Sequence, residues 1–279
     1  MKRFISVICI YIIAVLLVVL PPEIYKMETN THMGNVAGGE VRAAVTSSKT
    51  KTDKKIKKLI LGDSTGHALY PSESSYDSIV SLACNQAITM GGHYFLLKNY
   101  LETNLDNLPE EIIILFTPGT FNNDVDIYAY QYFLKPFPVL KYKSLYTRHL
   151  YDRIKSIPLY WTANLPFIQT SSYTPSRAVP ADEEFSNMTE LSMEYLLKIY
   201  SIAKEYNIPI CMRSTPVRDD RKEWIGIVSK DLLEACSTVM KEEMEAYVES
   251  IPFYPSEWFF DDVHLKGEYT PNDYLDRLN

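Results

Sequence analysis

Ser64, in Leu61-Gly62-Asp63-Ser64-Thr65-Gly66, and His264, in Phe260-Asp261-Asp262-Val263-His264, stand 200 residues apart in a chain of 279. A serine hydroxyl is a weak nucleophile until an imidazole accepts its proton, and that imidazole needs an acceptor on its other ring nitrogen to hold the tautomer. Asp261 and Asp262 lie on the same short stretch as His264, and either can supply the acceptor. These types predict attack on an ester carbonyl through an acyl-serine intermediate, on condition that the fold brings the two ends of the chain together.

The elements that must do so alternate along the sequence. Apolar runs at 58–61, 79–84, 111–117 and 208–214, with a short one at 258–260, read as strands. Helical patterns lie between them, over 89–104, 190–207 and about 221–250. In the second, Met193, Leu196, Leu197, Tyr200 and Ala203 repeat at the spacing of one buried stripe, and Asn207 with Pro209 ends it. Strands separated by helices of this size pair in parallel through right-handed crossovers, which predicts a doubly wound α/β sheet. Ligands of such sheets bind beyond the carboxyl ends of the strands, where Ser64 would lie.

Gly62-Asp63-Ser64-Thr65-Gly66 satisfies G-x-S-x-G, but the nucleophile elbow of α/β-hydrolases follows several earlier strands and here no strand precedes it. The chain instead resembles the SGNH, or GDSL-like, hydrolase superfamily, in Gly62-Asp63-Ser64 on the first strand and Asp261-x-x-His264 near the end. Cys84-Asn85-Gln86-Ala87-Ile88-Thr89 leading to Tyr94-Phe95-Leu96-Leu97, together with the apolar N-terminus, is similar to exported branches that modify bacterial surface polysaccharides. The resemblance spans about residues 57–270. It implies a three-layer α/β/α domain around a mostly parallel five-stranded flavodoxin-like sheet, with Ser64 as nucleophile, His264 as base and, by family spacing, Asp261 rather than Asp262 as the orienting carboxylate. It also implies an oxyanion hole from the Ser64 and Ala87 amides and a side-chain amide from Asn122 or Asn123, with no cofactor. The implied substrate is an acylated polysaccharide or a small ester, and the implied acyl group is acetyl.

Two blocks depart from the family pattern. Asn85-Gln86-Ala87 has Ala87 where Asn-x-Gly is usual, and Pro118-Gly119-Thr120-Phe121-Asn122-Asn123-Asp124 carries its Asn one or two residues late. A backbone N–H serves an oxyanion with or without a Cβ, so the first change is compatible with activity. Hydrolase and transferase differ only in whether water or a sugar hydroxyl resolves the acyl-enzyme, which residue types do not decide. The altered blocks also fit a catalytically silent glycan-binding or scaffold protein with partners in an envelope assembly system.

Around this domain, residues 1–26 read as a signal anchor and 27–56 as a flexible tether, leaving 57–279 as one α/β domain with an insertion at about 121–187. Phe4 to Leu20 are seventeen uncharged, mostly apolar residues after Lys2-Arg3. A cleaved signal peptide and a retained anchor both fit, and the Leu20-Pro21-Pro22 exit, lacking a small-x-small site, favours the anchor with the remainder outside the cytoplasm. The tether is polar and small, and closes on Lys49, Lys51, Lys54, Lys55, Lys57 and Lys58, read as a solvated approach to the domain. The insertion holds Tyr128, Tyr130, Tyr132, Phe133, Phe137, Tyr142, Tyr146, Tyr151, Tyr160 and Trp161, either a stacking rim for carbohydrate or ordinary packing. Asn187-Met188-Thr189 matches a glycosylation acceptor, although a helix N-terminus accounts for it better.

Net charge is -7, so no overall positive field recruits nucleic acid. Of four cysteines Cys9 lies in the apolar N-terminal run, which leaves Cys84, Cys211 and Cys236, an odd number with neither a disulfide framework nor zinc spacing. His67 reads as a site-wall or capping residue. His32, His93 and His149 have no partner spacing, and no metal set assembles.

Overall fold

The computed structural model describes residues 1–28, 38–125, 130–157, 159–164, 188–271 and 274. In chain order the regular elements are helices α1 (Lys2–Glu28) and α2 (Gly38–Ser48), β1 (Lys58–Gly62), α3 (Ser64–Leu69), β2 (Ile79–Ser81), α4 (Thr89–Thr103) and β3 (Glu111–Phe116). Then follow α5 (Val139–Tyr142), α6 (Arg148–Lys155), α7 (Glu190–Glu205), β4 (Ile210–Ser214), β5 (Val217–Arg218), α8 (Lys222–Ala235), α9 (Lys241–Glu249) and β6 (Phe253–Tyr254).

Four strands form one parallel sheet in the order β2-β1-β3-β4, with Lys58 beside Ile79 and Glu111, and Ile112 beside Ile210. Side chains alternate across a strand, so a run apolar at every position must be covered on both faces. In β1 and β3, Leu59, Leu61, Ile112, Ile114 and Phe116 enter the larger core, which includes residues of α2, α4, α7, α8 and α9. Ile60, Ile113 and Leu115 point the other way, into a thinner cover made by Leu69 and Tyr70 with Phe259, Leu265 and Tyr274. The molecule is thus an α/β protein whose parallel sheet is flanked by helices.

The edges of this plan differ from the sequence reading. The stretch at 258–260 is no strand: a single helical turn, Ser256–Trp258, is followed by one antiparallel bridge between Phe259 and Leu265. Pro255 starts that turn, and the chain then doubles back instead of extending. A second ladder, only two residues long, pairs β5 with β6 in parallel. The helix expected over about 221–250 is two helices separated at Met240, whose φ of 58° is left-handed. Thirty helical residues would run about 45 Å, far beyond strands of about 17 Å. Breaking the helix lets Val228 and Leu232 of α8 and Met244 and Tyr247 of α9 all reach the core.

The stretch expected as a tether contains α2, whose Val41, Ala44, Val45 and Ser48 are buried, the first three in the core that α4 shares. Their spacing is one helical face built from small side chains. From Lys2 to Pro22 α1 is exposed, and that stretch is long and apolar enough to cross a bilayer. Four of the insertion aromatics pack inward, while Trp161 stands exposed. Phe133, Phe137, Tyr142 and Tyr146 surround Phe95 of α4 at centroid distances of 5.4 to 5.7 Å. They therefore make core and not a rim. Tyr128, the Asn187 acceptor and His32 lie outside the described residues.

Candidate active site

β1 ends at Gly62, and the next residue sets the site. Asp63 is fully buried and caps α3: its Oδ1 accepts from the Thr65 N–H at 2.8 Å, the Gly66 N–H at 3.0 Å and the Thr65 hydroxyl at 2.5 Å. Its Oδ2 accepts from the Thr117 N–H at 2.7 Å and the Thr120 hydroxyl at 2.5 Å, both just past β3. One carboxylate thereby fastens the end of β1 to the end of β3 and starts the helix, leaving Ser64 as its first residue. The motif glycines serve close approach. A Cβ on Gly62 would stand 2.6 Å from Ala83 Cβ, and one on Gly66 would stand 2.5 Å from the Leu115 carbonyl oxygen. Thr65 also meets Thr215, beyond β4, hydroxyl to hydroxyl at 2.7 Å.

The far end of the chain arrives opposite Ser64. His264 Nε2 lies 3.0 Å from Ser64 Oγ, and its Nδ1 lies 2.8 Å from Asp261 Oδ2. Asp261 Oδ1 accepts from the backbone amides of Val263 at 2.8 Å and His264 at 2.7 Å, so one carboxylate shapes the turn and holds the ring. Burial pushes the Asp261 carboxyl up, but those two amides and the His264 ring outweigh it and keep its pKa below the usual aspartate value. The carboxylate thus stays ionised beside the imidazole.

Asp262, the rival from sequence, faces away. Its Oδ1 receives Arg218 Nη1 at 3.0 Å and Arg221 Nη2 at 2.9 Å. Phe260 was not anticipated from the sequence: its ring lies against the His264 imidazole at 5.5 Å and 17°. Nothing but its place four residues before the histidine hints at this role.

The groups expected as oxyanion donors come together less completely. The Ser64 N–H begins α3, where no intrahelical acceptor exists. The Ala87 N–H, by contrast, donates to Asn85 Oδ1 at 2.9 Å, so it is occupied in this state. Asn123 is turned to the Gln86 carbonyl, 3.4 Å from its Nδ2, whereas the half-buried Asn122 side chain makes no hydrogen bond among the described residues. Phe121, two residues after Gly119 where the family pattern has its Asn, is fully buried in the core, 5.2 Å from Tyr247.

A cleft of about 310 Å3 opens beside the pair. Thr65 and Val263, the neighbours of Ser64 and His264, line it together with Gln86, Thr117, Gly119, Pro216, Val217, Arg221, Trp224 and Asp262. Sequence reasoning missed Trp224, Arg221 and Gln86, since only the fold puts α8 and the segment after β2 on one wall.

The other histidines stand apart. His67 pairs with Glu73 at 2.7 Å, and His149 Nδ1 is 3.9 Å from Glu194. His93 is fully buried against Phe116, its two nitrogens without partners, and burial drives its pKa down to about 3. Among the described residues no cluster of three or more metal-binding side chains occurs.

The arrangement can move a proton from Ser64 Oγ to His264 Nε2 while Asp261 holds the opposite nitrogen, the requirement for nucleophilic acyl transfer. No family model matches this chain, and no curated protein matches it significantly.

Proposed function

We propose that this protein is an SGNH-like serine esterase or O-acyltransferase, exported and held at the membrane by α1, that acts on an acylated cell-surface polysaccharide. The observation that carries the proposal is the continuous relay from Ser64 Oγ through His264 to Asp261, assembled from opposite ends of the chain at 3.0 and 2.8 Å. Two blocks picked for their chemistry meet at hydrogen-bond distance beyond the carboxyl end of β1. The strand order β2-β1-β3-β4 supports the flavodoxin-like reading, being the first four of its 2-1-3-4-5 sequence. On this reading the fifth place falls to β6, which pairs with β5 in a separate two-residue ladder.

In the proposed reaction Ser64 Oγ attacks the ester carbonyl carbon and its proton passes to His264 Nε2. The C–O bond to the alcohol breaks, the alcohol leaves with that proton, and the acyl group remains on Ser64. Water or a sugar hydroxyl then attacks the acyl carbon as its proton passes to His264 Nε2, the acyl C–Oγ bond breaks, and His264 returns the proton to Ser64 Oγ. The developing oxyanion is held by the Ser64 N–H and the Asn122 side chain, with the Ala87 N–H joining when Asn85 releases it. Each such donor is worth about 3 kcal/mol.

The occupied Ala87 amide, with Phe121 at the Asn place, favours a second reading, a catalytically silent glycan-binding or scaffold protein. The two separate on the full-length chain in detergent with p-nitrophenyl acetate and a fluorophosphonate probe. The esterase reading expects turnover and labelling, with Ser64→Ala reducing turnover at least about a thousandfold and abolishing the label. Labelling that survives Ser64→Ala removes Ser64 as nucleophile. Neither turnover nor label in the parent protein leaves the scaffold.

A further inference from the structure

The insertion aromatics gathered around Phe95 are turned into the core, yet one large aromatic stands open beside the Ser64–His264 pair. Trp224, in the first turn of α8, is 48% exposed and forms a wall of the cleft. Its indole reaches over Gly119: a Cβ added there would stand 3.9 Å from Trp224 Cη2, an ordinary contact, so the bare glycine keeps the space under the ring end clear. The two charged groups of the cleft, Arg221 and Asp262, are paired with each other. Both Arg218 and Arg221 converge on Asp262 Oδ1, at 3.0 and 2.9 Å, while Asp262 remains 70% exposed. Gln86, exposed on the same cleft, is 3.5 Å from the Thr120 hydroxyl through Oε1, which leaves its NH2 group to donate.

A ring with an apolar C–H face and hydroxyls around its edge fits such a wall, its face on the indole and its hydroxyls bridging guanidinium, carboxylate and amide. An anionic ligand fits worse, because Asp262 occupies Arg221 and stands in the same cleft. At about 310 Å3 the space is at the small end of ligand sites, enough for one ring and not for a run of them. Resting on the esterase or acyltransferase reading, we propose that this cleft is a subsite for one uncharged pyranose unit, stacked on Trp224 with its hydroxyls on Arg221, Asp262 and Gln86. The ester to be cleaved or formed then lies toward Thr65 and Val263, the cleft residues next to Ser64 and His264. The specificity of the site for a sugar comes from α8, not from the aromatic insertion.

Two measurements on the full-length chain in detergent test the assignment. In the Ser64→Ala background, which separates binding from turnover, saturation-transfer NMR reads association of methyl 6-O-acetyl-β-glucopyranoside. Adding W224A is expected to weaken binding about fivefold or more, the worth of one aromatic face. W224F retains most of it, and W161A, which alters an exposed indole on the insertion, leaves it in place. With Ser64 intact, kcat/KM for that glycoside relative to kcat/KM for p-nitrophenyl acetate is expected to fall about tenfold in W224A. G119L, whose side chain fills the space under the indole, is expected to do the same. No detectable glycoside binding, binding lost with W161A instead of W224A, or tighter binding of the corresponding glucuronide overturns the subsite. So does a turnover ratio within about twofold of the parent in both W224A and G119L. Absent turnover with binding that still depends on Trp224 overturns the esterase reading and leaves the subsite standing.

Discussion

The two halves of the candidate site are held by opposite kinds of force. Ser64 stands on a hub from which water is excluded: Asp63 is fully buried and saturated by donors from α3 and from the segment after β3, and Leu59, Ile60 and Leu61 of β1 are all buried. His264 stands on a loop at the surface, tied by one carboxylate turn, one bridge between Phe259 and Leu265, and the exposed Arg218 and Arg221 pairs to Asp262. Ser64 is therefore placed by folding itself, and His264 by local contacts that solvent can compete for. The two halves should fail under different insults.

Removing the Asp63 carboxylate is the severest of these. Asp63→Ala leaves the Thr65, Gly66 and Thr117 amides without acceptors in a dry site, where each orphaned donor costs about 1–3 kcal/mol. A loss of about 3–5 kcal/mol in urea-unfolding stability is expected. Activity should disappear along with the fold, not with the fold intact. Unchanged unfolding with lost activity would show that Asp63 serves the chemistry and not the hub.

Acid attacks the same half. His93 is buried without hydrogen bonds against Phe116 of β3, with a folded pKa near 3. The unfolded chain takes up that proton below about pH 6.5, so the neutral ring's contribution is fully present above that value. It is lost as pH falls from there toward 3. Between pH 8 and pH 5 this single group removes about 2 kcal/mol of stability. His93→Leu, which keeps an apolar side chain of similar reach, is expected to flatten that part of the pH profile of urea unfolding. An unchanged slope in the variant would assign the acid sensitivity to other groups.

The same contrast decides what could be read from the sequence. Ser64 and the Asp261-x-x-His264 pair are legible because their chemistry resides in residue type and spacing. The strands β1 and β3 are legible because burial on both faces demands an unbroken apolar run. α2 was illegible, since Val41, Ala44, Val45 and Ser48 are too small to register as an apolar stripe although the face they make is buried. The break at Met240 carries neither Gly nor Pro, and it answers to the size of the sheet, a property of the whole fold. The insertion misled in the opposite way. Aromatics suit a stacking rim and a core equally, and their destination was settled by Phe95 on α4, some forty residues earlier. Trp224 was overlooked because exposure beside a cleft is a relation between elements with no signature in either.

The smallest expected effect tests the loop half. Arg218 reaches both the Asp261 carbonyl, at 3.4 Å, and Asp262, at 3.0 Å, while its other nitrogens engage Asp220. It bears on the turn that carries His264 without touching the ring, so it is a positioning residue for His264. Exposed ion pairs of this kind are weak, and Arg218→Gln is expected to lower kcat about fivefold at most, with KM for a small aryl ester little changed and urea unfolding unaltered. Half-molar salt shortens the Debye length to about 4 Å, so on the esterase reading raising the ionic strength should reduce kcat of the parent protein toward that of the variant and leave the variant itself nearly insensitive. Asp262→Asn should behave like Arg218→Gln, whereas a much larger loss there would return Asp262 to contention as the orienting carboxylate. A salt response equal in parent and variant would mean that His264 is held as firmly as Ser64, by the Asp261 turn alone.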